Sequence, residues 1–311
     1  MEEAFWKEKA NVKWHSEGDK NTAFFHKTAK IKQAYKKIST LRVNDMVLTD
    51  QDLISHHVVS HFQALFSGSN AAVDNGLVEE VIPNLLNDGI NNLLTILPSE
   101  LEIKNAVFSM NKDEAPGPDG FGAFFFQTYW DIIKIDVVNA VLEFFNFNRI
   151  MPNFNSNTVV LIPKVPNADS LNHYRPIAMA NFKFKILSKI LADRLALVLP
   201  DIISKEQRGF IKGRQIRDCI CLTSEAINML HCKSFGGNLA IKLDIAKAFD
   251  TIDWQFLLKV LQAFGFSSTF CNWIHTILKS AKLSISINGK QEGFFDCARG
   301  VRQGDPLSPL L

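Results

Sequence analysis

Apolar residues recur along this chain in two periods, and the switches between them mark its elements. Alternation is clearest near the C-terminus. Leu283, Ile285 and Ile287 alternate with Ser284 and Ser286, Asn288-Gly289 supplies a type I′ turn, and a return strand runs to Phe295. Asn157 to Pro163, rich in β-branched residues, is a second strand. Leu239 to Ile245 reads as a buried strand that delivers Asp244 to its C-terminal end before the chain turns into a helix. Helical spacing governs Phe182, Ile186, Ile190, Leu191 and Leu195, and also the run from Phe124 to Phe147. A further helix starts at Ser99, with Glu102 completing a capping box, and stops before the breaker-rich loop Ala115 to Gly120. Asp253 caps a helix through about Ala263, and Phe270 to Leu278 forms another. Residues 1 to about 45 read as helical and basic, and Ser67 to Gly89 as a linker. Helices and strands mix without strict βαβ alternation, which predicts an α+β fold.

Composition narrows the function classes. An apolar fraction of 47% over 311 residues supports a sizeable core, and no run of about 18 apolar residues suggests a membrane span. The N-terminus opens acidic and lacks the apolar stretch of a signal peptide. With 25 phenylalanines beside three tyrosines, burial of the aromatics is expected. Five cysteines without metal-ligand spacing read as reduced core thiols. Net charge is only +2, but its distribution is uneven. Lys27, Lys30, Lys32, Lys36, Lys37 and Arg42 form one basic cluster, and Lys205, Arg208, Lys212, Arg214 and Arg217 another. Such stripes suit a phosphate backbone, although either alone also fits a solvated helix face.

Asp244 carries the chemistry. A carboxylate at a strand end beside a turn can hold a divalent metal against phosphates, and two Mg²⁺ ions clamping an in-line displacement would give nucleotidyl transfer. Taken by itself the residue equally fits an Asp capping the next turn.

Several motifs in order set that alternative aside. Lys242 to Asp250, reading Lys-Leu-Asp-Ile-Ala-Lys-Ala-Phe-Asp, resembles the first metal-binding motif of reverse transcriptases. Gly300-Val301-Arg302-Gln303-Gly304-Asp305-Pro306-Leu307-Ser308-Pro309 resembles the motif that follows it in non-LTR retrotransposons. Upstream, Leu161 to Lys164, Tyr174 to Ile177 and Gln207 to Phe210 are similar to the finger motifs, and Ala115 to Gly120 to an element-specific loop before them. Trp14 to Thr22 is similar to a segment preceding the polymerase in plant long interspersed elements. The resemblance implies a right-hand polymerase, with fingers over about 90–238 and 282–298, palm segments over 239–281 and 299–311, and residues 1–89 as an N-terminal extension. A group II intron maturase, which shares the first metal motif, and a non-catalytic RNA- or DNA-binding remnant are the alternatives.

Roles follow from the resemblance residue by residue. Asp244, helped by the Ile245 carbonyl, would ligate both Mg²⁺ ions. Lys164 and Arg175 would hold the triphosphate of an incoming deoxynucleotide, as a point charge and a bidentate fork suit a polyphosphate. Phe249 would sit under the sugar and exclude a 2′-hydroxyl, while Gln303 and Gly304 would lie where template and nucleotide meet. The Lys205 to Arg217 cluster would grip an RNA template paired with a DNA primer. Replication of such an element would require access to the nucleus.

The family's second carboxylate pair, an Asp-Asp dipeptide in a hairpin beyond the Gln-Gly motif, does not occur in these 311 residues. One carboxylate cannot hold two such ions, so no polymerase activity is expected from this polypeptide alone, and the apolar strand 239–245 should present an open edge. Primer extension on an RNA template checks the first expectation: template-dependent synthesis that disappears in Asp244→Asn would overturn it.

Overall fold

The computed structural model describes residues 37–68, 75–233 and 235–311. In chain order its elements begin with a small hairpin, β1 (Leu41–Val43) and β2 (Met46–Leu48), followed by α1 (Gln51–Ser67), α2 (Leu77–Val81), α3 (Asp88–Thr95), α4 (Glu100–Ser109), α5 (Ala123–Thr128) and α6 (Trp130–Phe147). Next come β3 (Ser156–Pro163), β4 (Tyr174–Ala180), α7 (Phe182–Ile202) and α8 (Ile216–Met229). The chain closes with α9 (Ala248–Thr251), α10 (Trp254–Phe264), α11 (Ser268–Lys279), β5 (Lys282–Ile287) and β6 (Lys290–Asp296). This is the mixed α+β content that the pattern predicted.

Four strands form the main sheet in the order β4-β3-β5-β6, with β3 antiparallel to β4 and parallel to β5. The C-terminal hairpin forms as read, its turn carried by Asn288 and Gly289 at φ 50° and 89°. One sheet face, with Val159, Leu161, Ala178, Leu283, Ile285 and Ile287, buries against Ile54, Val58, Phe62 and Phe66 of α1. The larger core lies among α3 to α7, α10 and α11, around Phe144, Phe184, Ile190, Phe270 and Ile274. These apolar faces supply most of the driving force, at roughly 25 cal/mol per Å² removed from water.

Several expectations need correcting. Residues 37–48 are not helical but make the β1–β2 hairpin, turned at Asn44 with φ 53°. The rest of the N-terminal basic segment, with Trp14 to Thr22, lies outside the described residues. Within the supposed linker, α2 and the start of α3 are helical; residues 69–74 are not described. The run Phe124 to Phe147 is two helices, broken at Tyr129 where ψ reaches 18°. Of the five cysteines only Cys271 is fully buried; Cys219 and Cys297 are half-buried, and Cys221 and Cys232 are exposed. Phe121, Phe124, Phe147 and Phe235 are exposed too, so abundance of phenylalanine did not mean burial throughout.

The largest correction concerns residues 239–245, which form no strand. Leu239 is 84% exposed and Leu243 86% exposed, and no strand among the described residues pairs with the segment. Alternating apolar residues make a strand only where a neighbouring edge takes the backbone hydrogen bonds and a core takes the side chains. Neither is present here.

Long-range polar contacts fix the helices on this scaffold. Ser99 caps α4 as expected, accepting from the Glu102 amide at 3.1 Å. The Glu102 carboxylate does not return to the cap. It takes a bidentate pair from buried Arg194 on α7, at 2.7 and 2.9 Å. Arg194 also donates to the carbonyls of Leu94 and Ile96, which the end of α3 would otherwise leave unpaired. The loop Ala115 to Gly120 docks on the β4–α7 junction, where a Cβ on Gly117 would come within 2.5 Å of the Ala180 and Asn181 backbone. Arg194→Met, which keeps an apolar stem but strands two carbonyls and a carboxylate, should lower unfolding free energy by about 3 kcal/mol in urea titration. Glu102→Gln should lower it by less than half as much, and the reverse ranking would contradict this account.

Candidate nucleotide and template site

The two segments that carry the key motifs meet through the backbone. The Gly300 amide donates to the Ile252 carbonyl at 2.8 Å, and the Val301 amide to the Phe249 carbonyl at 2.6 Å. The Trp254 indole closes the same contact by donating to the Gly300 carbonyl at 2.8 Å. Gly300 sits at φ 81°, and a Cβ there would approach the Asp250 carbonyl oxygen to 2.6 Å. Only glycine permits both that left-handed backbone and that approach.

Beyond Gly300 the chain runs along the free edge of β4. The Ala178 amide donates to the Gln303 carbonyl at 2.8 Å. Gly304, at φ 108°, lies so close that a Cβ would come within 2.7 Å of the Ala178 carbonyl oxygen. Between these glycine-marked points Arg302 turns inward. Its guanidinium stacks on the Phe184 ring, 4.9 Å from the centroid, and donates to Asn155 Oδ1 at 3.3 Å. Burial pushes the Arg302 pKa down. Asp305 is also buried and accepts from the Leu307 amide at 2.9 Å. Phe249 is half-buried against the larger core, Gln303 half-buried, and Gly304 exposed, so the turn offers backbone and a polar side chain to the outside.

Lys164 and Arg175 lie at one end of the β3–β4 pair, where Ile162 faces Arg175 in the register. Both are exposed. Lys164 Nζ donates to the Asn172 carbonyl at 2.9 Å. Asp250 is buried, and desolvation raises its carboxyl to about 6, opposed by the positive charges of Lys247 and Lys164. Sequence reading took Asp250 for a structural residue; its burial carried no local signal.

Asp244 and Ile245 are exposed, and among the described residues neither side chain has a hydrogen-bond or ion-pair partner. Among the described residues no three His, Cys, Asp or Glu side chains gather in a way that could hold a metal ion. The basic cluster divides. Arg214 donates to the carbonyls of Pro200, Ile203, Ser204 and Gln207, closing the C-terminal turn of α7. Its Nη1 and Nη2 groups are therefore engaged within the fold. Arg208 pairs with Asp218 at 3.5 Å, while Lys205, Lys212 and Arg217 are exposed.

Comparison with known proteins gives this chain relatives by sequence. Residues 162–311 match the family model described as reverse transcriptase (RNA-dependent DNA polymerase). The chain is 30% identical over 298 residues to the 149 kDa protein of transposon TX1 from Xenopus laevis, covering 94% of this chain and 22% of that protein. It is 29% identical to the Pol polyprotein of a type-1 R2 retrotransposable element from Nasonia vitripennis, covering 68% of this chain and 21% of that protein. The Pol polyprotein of the type-2 element R2DM from Drosophila melanogaster is 28% identical, with coverages of 63% and 18%. The chain thus spans about a fifth of the length of these relatives. All three come from transposable elements, which leaves the maturase alternative less well supported. Residues 162–311 are a reverse transcriptase domain of the non-LTR retrotransposon kind.

Proposed function

We propose that the chain supplies the fingers and leading palm segments of an RNA-directed DNA polymerase. The supporting observation is the backbone junction that sets Phe249 beside the Gly300–Gly304 turn. In this reading Lys164 and Arg175 take the triphosphate of an incoming deoxynucleotide. Phe249 packs under its sugar and leaves a 2′-hydroxyl without a partner or room. Gln303 hydrogen-bonds toward the sugar or base edge, and Gly304 lets the backbone come close.

The donors at Asp244 fit Mg²⁺ in kind: a carboxylate and the Ile245 carbonyl are hard oxygen ligands, and Mg²⁺ keeps several waters of its own. When bound, the ion would neutralise phosphate charge and lower the barrier to displacement. Lys205, Arg208, Lys212 and Arg217 are left to contact the RNA template or the DNA primer, and Arg214 is not among them.

Equilibrium binding of a deoxynucleoside triphosphate with Mg²⁺ tests the assignment. Arg175→Ala should weaken binding about 10- to 100-fold, the value of charged hydrogen bonds to phosphate, and Lys164→Ala by about 10-fold. Unchanged affinity in both variants would contradict it.

A further inference from the structure

Helix α1 precedes the matched domain, yet the segment leading into the Gly300 turn is built onto its C-terminal end. The amides of Ala298 and Arg299 both donate to the Phe66 carbonyl, at 2.8 and 3.2 Å. The Arg299 guanidinium donates through Nε to the Leu65 carbonyl at 2.7 Å. Both carbonyls lie in the last turn of α1, where a helix has no partner of its own for them, and that turn carries no basic residue. A cation from elsewhere in the chain therefore meets the negative pole of the helix dipole. Gly68, the residue after α1, leaves the guanidinium its space, since a Cβ there would come within 2.7 Å of Arg299 Nη2.

The other end of this N-terminal segment is tied down independently. Ile38 and Asn288 exchange hydrogen bonds at 2.8 and 2.9 Å, and Asn288 also donates to Gln51 Oε1 at the start of α1. Arg42 holds the β3–β4 connection: its amide donates to the Asp169 carbonyl at 2.6 Å, and its guanidinium pairs with the Asp169 carboxylate at 3.0 Å. With its apolar face buried on the sheet as well, α1 is a fixed post. Residues 298–303 are thus attached at three places. Ala298 and Arg299 hold the end of α1, Gly300 and Val301 hold the Ile252 and Phe249 carbonyls, and the Gln303 carbonyl holds the Ala178 amide. The last two attachments lie within the matched domain, and the first reaches outside it.

We propose that Arg299 is a positioning residue for sugar selection: through the end of α1 it sets the spacing between Phe249 and the Gln303–Gly304 turn. The proposal rests on the polymerase reading above and deepens it, because part of the site's specificity then comes from a helix outside the matched domain. Arg299 touches no nucleotide; it acts through the turn. An apolar ring rejects an added hydroxyl only by close contact, which gives about 100-fold at most. A small widening of the gap loses much of that, since misplacement by about 1 Å is already costly. Sequence reading passed over Arg299 because its partner lies 234 positions earlier, on a helix that the apolar pattern did not announce.

Equilibrium titration of the full chain with a deoxynucleoside triphosphate and with the matching ribonucleoside triphosphate, each with Mg²⁺, tests this. Wild type should prefer the deoxy form. Arg299→Ala should cut that preference about tenfold, chiefly by admitting the ribonucleotide. Gly68→Ala changes no residue of the matched domain but places a methyl group where the guanidinium lies, and it should cut the preference by about threefold. A single-stranded RNA oligonucleotide should bind both variants with wild-type affinity and salt dependence, whereas a general loss of structure would weaken all three ligands together. A preference unchanged in both variants, or a parallel loss of all three ligands in both, would overturn the proposal. Wild type that binds triphosphates without regard to the sugar, or not at all, would instead reject the polymerase reading of the site, and this proposal with it.

Discussion

Two backbone hydrogen bonds, from Gly300 to Ile252 and from Val301 to Phe249, hold together segments some fifty residues apart in sequence. Everything proposed for the nucleotide site depends on them. They bring the turn after β6 back to the end of the first motif, and the Trp254 indole seals the contact from inside the core. Because buried amides and carbonyls must find partners, this junction cannot shift by a residue without leaving several unpaired. The glycine at 300 follows from the same constraint, since the Asp250 carbonyl occupies the space of a side chain.

Buried polar side chains extend the junction into the sheet. Asn155 accepts from Arg302 and donates to the Ile277 carbonyl, while Asn157 donates back to Asn155. Asn181 ties the start of α7 to the Asn153 carbonyl and receives the Asp119 amide of the breaker-rich loop. One polar seam thus links β3, α11, the Gln303 turn and that loop. The seam is only partly satisfied, since Asn157 Oδ1 and Arg302 Nε are buried without a partner among the described residues, and losing any of the bonds it does make would leave a further buried group unpaired. The N-terminal hairpin and α1 join the same body. Asn288 of the C-terminal turn exchanges hydrogen bonds with Ile38, and Arg299 donates to the Leu65 carbonyl at the end of α1.

Local chemistry made part of this legible in sequence. Asn288-Gly289 announced its hairpin, and Ser99 and Asp253 announced their helices, because turn and cap signals act within three or four residues. The small β1–β2 hairpin was missed although Asn44-Asp45 sits at its turn; the surrounding lysines suggested a helix instead. Arg214 reads as a phosphate contact in a basic stripe, yet it serves four carbonyls whose approach only the tertiary fold creates. Leu239 to Ile245 has a strand's alternation, but alternation specifies a face and not a partner. The candidate site followed the same division. Phe249, Gln303 and Gly304 were found by motif and lie on segments joined by the Val301–Phe249 backbone bond, whereas the burial of Arg302 and Asp250 comes from packing.

Native-state hydrogen exchange tests the junction most directly. The account predicts that the amides of Gly300, Val301 and Ala178 exchange only through openings as costly as unfolding of the larger core, while those of residues 239–245 exchange at nearly unprotected rates. If the Gly300 and Val301 amides exchange as fast as residues 239–245, the two motif segments are not locked together, and the central claim fails.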